Sequence, residues 1–215
     1  MTNGVGPLSA INGVAGSYSE HVPVICISGS IPLRSIDRGL GMHHTMADGT
    51  WDHFLSASAP VTVARARLNP RNAASEIDRL ILTAWREKLP VYMELPSDIA
   101  YLEIEVPTAP LNLAAPPSDP ERLRSCIAAI AGRLSSAKSP AILVDAGRFG
   151  VASELTELAE KVQAPVAAIN AAKSVIDETF PHYLGIYNGK ASRRMYARRS
   201  RPAIAFSSTS SRARS

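Results

Sequence analysis

Cysteine is scarce in this chain of 215 residues: there are two, Cys26 and Cys126, far apart. So few thiols exclude a disulfide framework and suit a reducing, cytoplasmic setting. Cys26 lies in an apolar, strand-like run and Cys126 in a helical one, so both read as reduced packing residues. Also lacking is any run of the roughly 18 apolar residues that a membrane-spanning helix needs. Residues Met1 to Gly6 lack the basic and apolar stretches of a secretory leader. No membrane partner is expected. The last 23 residues lack any acidic side chain and hold seven arginines. Without those arginines the net charge falls from +4 to −3. The basic character therefore belongs to the tail and not to the folded part. The tail also lacks interleaved aromatics, Tyr196 and Phe206 being isolated, so nucleic acid is not the expected partner.

What is present alternates between two periods. Leu8, Ile11, Val14, Ala15 and Tyr18 share a helical face over residues 8–20, with Gly13 and Gly16 placed for close packing. Val22 to Ile27 is a continuous apolar run that suits a strand buried on both faces. Residues 30–59 are irregular and carry most of the histidines. Val61-Thr62-Val63 is a short strand candidate. Asn69-Pro70 is placed to open a helix, and Ile77, Leu80, Ile81, Ala84 and Trp85 follow at its inward spacing. Pro90 to Pro96 is another buried strand. This order predicts a parallel sheet flanked by helices.

Prolines 107, 110, 116 and 117 then interrupt any regular element, marking a linker over 106–118. Asp119-Pro120-Glu121 restarts a helix in cap order, with Leu123, Ile127, Ile130 and Leu134 on its inner face. Ala141 to Val144 (strand), 151–163 (helix, with Leu155, Leu158 and Val162 inward) and Pro165 to Ile169 (strand) compose a β-α-β unit of Rossmann-like type. The turn holding Gly147 and Gly150 is not Gly-x-Gly-x-x-Gly and reads as an ordinary strand-to-helix turn. From Arg193 onward Arg and Ser fill thirteen of 23 positions with no structural period. That stretch is expected to be a disordered end, written by a shifted reading frame.

Three groups of residues carry candidate chemistry. Gly4-Val5-Gly6 before a helix is a turn that either admits a ligand or serves close packing, and alone it is a weak signal. His43 and His44 stand side by side in a loop, either as exposed residues or as proton-handling groups, for which imidazole is suited. In an extended segment their rings would point oppositely, leaving one toward a substrate. His43, His44, Asp48 and His53 are all metal-ligand types, but their spacing matches no zinc pattern. His21 is a helix-end residue, and Trp51 and Trp85 are packing residues.

Taken as blocks, the same residues resemble a known family. Gly4-Val5-Gly6, Asn12-Gly13, Gly16-Ser17-Tyr18 and Glu20-His21-Val22-Pro23 resemble the pyrimidine-binding domain of thiamine-diphosphate-dependent 2-oxo-acid decarboxylases acting on pyruvate, indolepyruvate or phenylpyruvate. His43-His44-Thr45-Met46-Ala47-Asp48-Gly49 resembles their paired-histidine motif. Glu76-Ile77-Asp78-Arg79 and Pro90 to Pro96 resemble the end of that domain, and residues 119–192 its middle domain. The resemblance implies an α/β fold with a pyrimidine-binding domain over 1–105 and a partial Rossmann-like middle domain over 119–192. It also implies thiamine diphosphate and Mg²⁺ as cofactors, a 2-oxo acid as substrate, and a homodimer or tetramer with sites between subunits. His43 and His44 would then relay protons near the substrate carboxylate, while Gly4, Val5, Gly6 and Asn12 lie beside the thiamine ring.

Family members begin earlier, in a stretch with the cofactor-activating glutamate. They continue into a diphosphate-binding domain whose Gly-Asp-Gly holds magnesium. No Gly-Asp-Gly occurs here, and neither Ala47-Asp48-Gly49 nor Asp145-Ala146-Gly147 replaces it. The chain is accordingly expected to be truncated at both ends, inactive alone and poorly soluble. A synthase or oxidase relative with a flavin-binding middle domain is the nearest alternative, the paired histidines favouring a decarboxylase. A non-catalytic interaction module with a basic tail is the alternative from another class.

Overall fold

A computed structural model describes residues 1, 4–145, 150–189 and 192, together with the backbone of 204–206. The chain divides into two compact units, Met1–Ala115 and Pro116–Ser215.

The first unit is a three-stranded parallel sheet of β1 (Ile25–Ser30), β2 (Ala64–Arg67) and β3 (Val91–Pro96), in the order β1-β3-β2. Helix α1 (Ile11–Ser19) precedes it. The short helices α2 (Leu33–Asp37) and α3 (His53–Ala57) flank the loop between β1 and β2, and α4 (Ala73–Glu87) crosses from β2 to β3. Helix α4 forms because Ile77, Leu80 and Ala84 recur on one stripe, and it stops where Lys88 adopts the left-handed conformation. Leu80 and Ala84 pack on Ala66, Leu68, Val91 and Met93, which makes one face of the sheet. On the opposite face Val14 of α1 meets Cys26 and Tyr92.

Several expectations are corrected in this unit. Strand β1 begins at Ile25 and buries one face only, leaving Ile25 and Ile27 43% and 48% exposed. It is an edge strand, bridged on its outer side by Met1. The amino group of Met1 donates to the Ile27 carbonyl at 2.9 Å, and Gly29 N–H donates to the Met1 carbonyl at 2.9 Å. Residues 59–61 form a 3-10 turn opened by Pro60, and the strand follows at Ala64. The Asn69 side chain accepts from Arg71 and Asn72 N–H in a turn, so the helix starts at Ala73 and not at Pro70. Trp85 points outward, with the Lys88 ammonium 3.7 Å above its ring. Gly13 and Gly16 face open space, so α1 does not use them for close packing within this chain.

The second unit is a parallel sheet in the order β6-β5-β4-β7, from β4 (Ile142–Val144), β5 (Val166–Ala168), β6 (Tyr183–Ile186) and β7 (Ile204–Phe206). Helix α6 (Ala152–Val162) connects β4 to β5, which is the expected β-α-β unit. Leu155, Leu158 and Val162 pack on a core of Ile142, Val144, Ala159, Val166 and Ile176. Helix α5 (Pro120–Ser136) starts as expected, Asp119 accepting from Glu121 N–H at 3.0 Å and Arg122 N–H at 2.8 Å. Its inner face is not inner: Leu123 and Ile127 are 49% and 57% exposed. The β7 backbone pairs with β4 inside the stretch that showed no structural period. The rest of the expected tail, 193–203 and 207–215, lies outside the described residues, as does Gly147. Both cysteines are free, Cys26 buried and Cys126 exposed, so only the former is a packing residue. Among the described residues no helix is long and apolar enough to cross a membrane.

Leu80 is fully buried beneath α4, so Leu80→Ala is expected to lower the stability of the first unit by about 2–5 kcal/mol. Trp85→Ala should cost less than about 1 kcal/mol. Urea unfolding of the two variants checks the ranking.

Candidate functional site: a glycine-rich turn against a histidine loop

Gly4 sits at φ +70°, a conformation open to glycine at little cost. It is buried, and a Cβ placed there would lie 1.9 Å from the His44 carbonyl oxygen and 2.8 Å from the His44 Cβ. The turn and the histidine loop are thus in direct backbone contact. Gly6 opens a 3-10 turn over Gly6–Ala10, with Pro7 at the position where a missing N–H costs nothing. Val5, between the two glycines, is 43% exposed. Asn12 is exposed at the second position of α1.

His43 and His44 do not sit in an extended segment. His44 has φ +65°, and the two rings meet edge-on with centroids 3.9 Å apart, both exposed. The left-handed residue reverses the alternation that an extended chain would impose, so the imidazoles are neighbours. His53 is drawn to Asp48 at 2.7 Å, and Thr50 N–H also donates to Asp48. These two bonds, that of Thr50 first, hold the Asp48 carboxyl below the usual range. Among the described residues no group of three or more His, Cys, Asp or Glu could hold a metal ion. His21 is an exposed helix-end residue at φ +56°.

Beneath the loop lies a buried ionic network. Glu94 of β3 is 4% exposed, in the middle of an otherwise apolar strand. Arg67, the last residue of β2, donates through Nε to Glu94 at 2.7 Å and through one terminal nitrogen to Asp52 at 2.7 Å. Its other terminal nitrogen donates to the Trp51 carbonyl. Burial pushes the Glu94 carboxyl up, against the pull of Arg67. Burial first, then the neighbouring Glu94, pushes the Tyr92 phenol up to about 12. Gly39, Gly41, Thr45, Ala47, Gly49, Thr50 and Trp51 enclose an open hollow of about 120 Å³ within the loop.

Two family models match this chain. Residues 1–54 match the N-terminal TPP binding domain of thiamine pyrophosphate enzymes, and residues 127–201 match the central domain of the same enzymes. The first span holds the glycine turn and both histidines. The chain carries N-terminal and central domains of the thiamine pyrophosphate enzymes. It is 39% identical over 196 residues to a pyruvate decarboxylase of Aspergillus terreus, covering 89% of this chain and 34% of that protein. An alpha-keto-acid decarboxylase of Mycobacterium leprae is 38% identical over 193 residues, with 89% and 34% covered. Pyruvate decarboxylase isozyme 2 of Saccharomyces cerevisiae is 36% identical over 197 residues, with 89% and 35% covered. The chain spans about a third of the length of these relatives. The central-domain match runs past residue 193, into the stretch expected to be a shifted frame.

Within the N-terminal thiamine pyrophosphate enzyme domain, the structure brings Gly4 and His44 together and sets His43 beside His44. Val5 and Gly6 continue the turn, while Asn12 stands one helix further on. Sequence reading missed Arg67, Asp52 and Glu94. A signal was present: Glu94 is the lone charge in Val91-Tyr92-Met93-Glu94-Leu95, and a buried carboxylate demands a partner.

Gly4→Ala is expected to cost at least about 1–3 kcal/mol from backbone strain alone, and to displace His44. Thermal unfolding, with the His44 amide resonance as local probe, checks both effects. Glu94 gives a pH signature. A carboxyl raised by folding contributes stability that is present below its unfolded value and lost as pH rises through its folded value. As pH rises above the ordinary carboxylate range the wild type should therefore lose stability relative to Glu94→Gln, read by urea unfolding at each pH.

Proposed function

We propose that this chain is part of a thiamine-diphosphate-dependent decarboxylase converting 2-oxo acids to aldehydes and CO₂. The observation that supports the reading is the backbone contact between the glycine turn and His44, whose ring lies against that of His43. An exposed branched side chain between two glycines suits a flat ring, as the pyrimidine end of thiamine has. A diphosphate and Mg²⁺ ask in addition for a phosphate cradle and several oxygen ligands. The described residues offer no such ligand group, so the proposed contribution of this chain is limited to the ring end. Mg²⁺, a homodimer or tetramer, and a cytoplasmic setting belong to the proposal for the whole enzyme.

When bound, the cofactor supplies the electron sink for the carbanion left by decarboxylation. What the chain's own residues do is narrower. His43 and His44 are exposed, adjacent and fixed from behind by Gly4, so one imidazole can hold the substrate carboxylate while its neighbour gives or takes a proton. Their proton-handling is worth roughly 10²–10⁴-fold in rate where such groups act as general acid or base. Gly4, by having no side chain, lets the loop approach. Val5 offers apolar contact to the cofactor ring, and Asn12 offers a polar group at the same end of α1.

The test is a chimera in which residues 4–192 replace the matching third of the Aspergillus terreus relative. It is expected to release CO₂ from a 2-oxo acid, and His43→Phe or His44→Phe is expected to lower kcat by about 10²-fold or more. A folded chimera with bound cofactor whose turnover ignores both substitutions would remove the proton-handling role. The chain by itself is expected to release no CO₂ from pyruvate or phenylpyruvate, checked by a coupled aldehyde assay.

A further inference from the structure

We infer that Arg67 is a positioning residue for the imidazole pair: it clamps the far end of the histidine loop to the sheet, and Glu94 is the buried counter-ion that keeps Arg67 in place. The inference rests on the proton-handling reading of His43 and His44 for its functional meaning, and on geometry alone for the clamp.

Residues 38–52 contain no helix or strand, and most are exposed. Such a segment holds a side chain in place only as well as it is pinned. The near end is pinned at the close of α2, where Gly39 N–H donates to the Ile36 carbonyl at 3.0 Å and Leu40 N–H to the Ser35 carbonyl at 3.0 Å. The middle is held by Gly4 pressing on the His44 backbone. At the far end the hold is the Arg67 guanidinium, which grips the Trp51 carbonyl and the Asp52 carboxylate. Asp52 is 64% exposed; its carbonyl accepts from Ser56 N–H at the start of α3, and its side chain is tied to the sheet by Arg67. Arg67, at 18% exposure, is fixed on its other edge by Glu94 at 5%. A rigid planar fork sends five N–H donors outward along fixed lines and so reaches three acceptors spaced around its rim, whereas the three donors of an ammonium radiate from a single atom. Trp51 and Thr45 both wall the hollow within the loop, and Thr45 directly follows His44, so the grip on Trp51 reaches the histidine segment through that shared wall. Besides Arg67, Glu94 meets the Tyr92 hydroxyl, which donates to it at 3.5 Å.

The clamp separates from mere stabilisation because a buried ion pair replaced by apolar groups of like volume is often neutral for stability. The test uses the chain itself with the double variant Arg67→Met/Glu94→Leu, followed by NMR. In the wild type, nuclear Overhauser contacts are expected between the His43 and His44 ring protons and between His44 and the Gly4 α-protons. In a double variant of unchanged melting midpoint, the Gly4–His44 contact should be lost and the His43 and His44 ring resonances should move toward those of an isolated histidine. Glu94→Gln, whose amide oxygen can still accept from Arg67 Nε but carries no charge, should weaken the contact less than the double variant does. If the double variant does not fold, Arg67→Lys carries the same test, with the contact expected to weaken severalfold. A folded double variant, or the lysine variant, with the contact undiminished would overturn the inference. That result is distinct from failure of the decarboxylase reading, in which the clamp orders the histidines and the chimera's turnover ignores them.

Discussion

Gly4 has no side chain, and the His44 carbonyl fills the space where one would begin. That exclusion ties together two pieces of chain that share no strand and no helix. A positive φ at Gly4 turns the chain into the Gly6–Ala10 turn, and a positive φ at His44 swings its ring against that of His43. Remove either and the histidine pair loses its relation to the glycine turn. The energies are small, a kcal/mol or so for each left-handed residue outside glycine, yet they decide geometry because the loop has little packing of its own.

The fold class was legible in the residues because period and punctuation agreed. Helix α4 announced itself through Leu80 and Ala84, helix α5 through Asp119-Pro120-Glu121, and the β4–α6–β5 unit through two apolar runs around an amphipathic one. What misled was coverage. An apolar run such as Val22 to Ile27 says that a strand wants burial on two faces, not that two faces find a partner, and Ile25 and Ile27 stay half exposed. The stripe on α5 failed in the same way. Local chemistry shifted boundaries as well: Pro60 turned an expected strand into a 3-10 turn, and Asn69 spent its side chain on a turn before the helix began.

The candidate site was legible as blocks and not as geometry. Gly-x-Gly and His-His were visible as residue types, but their contact depends on two backbone conformations that no period encodes. The Arg67–Glu94 network was half visible. A single carboxylate in an apolar strand requires a partner, while the identity of that partner depends on the parallel register that sets Arg67 beside Glu94. Register between strands joined through a whole helix is a tertiary outcome.

The uncovered faces bear on how the parts combine. Ile25 and Ile27 on β1, and Leu123 and Ile127 on α5, are 43% to 57% exposed, each in an ordered element and each in line with another apolar side chain. Full burial of one such side chain is worth about 1.5–3 kcal/mol, so half burial of four forgoes several kcal/mol. A domain's net stability is only about 5–15 kcal/mol, which makes that a substantial fraction. Single exposed leucines carry no meaning, but paired ones along a strand and along a helix mark surfaces that gain from a cover. The polar clamp at Arg67 needs no such cover, since all three of its partners lie within the first unit. The histidine loop can therefore hold its shape under conditions in which the apolar faces remain bare. Order at the site and completeness of the surrounding core are separable properties of this chain.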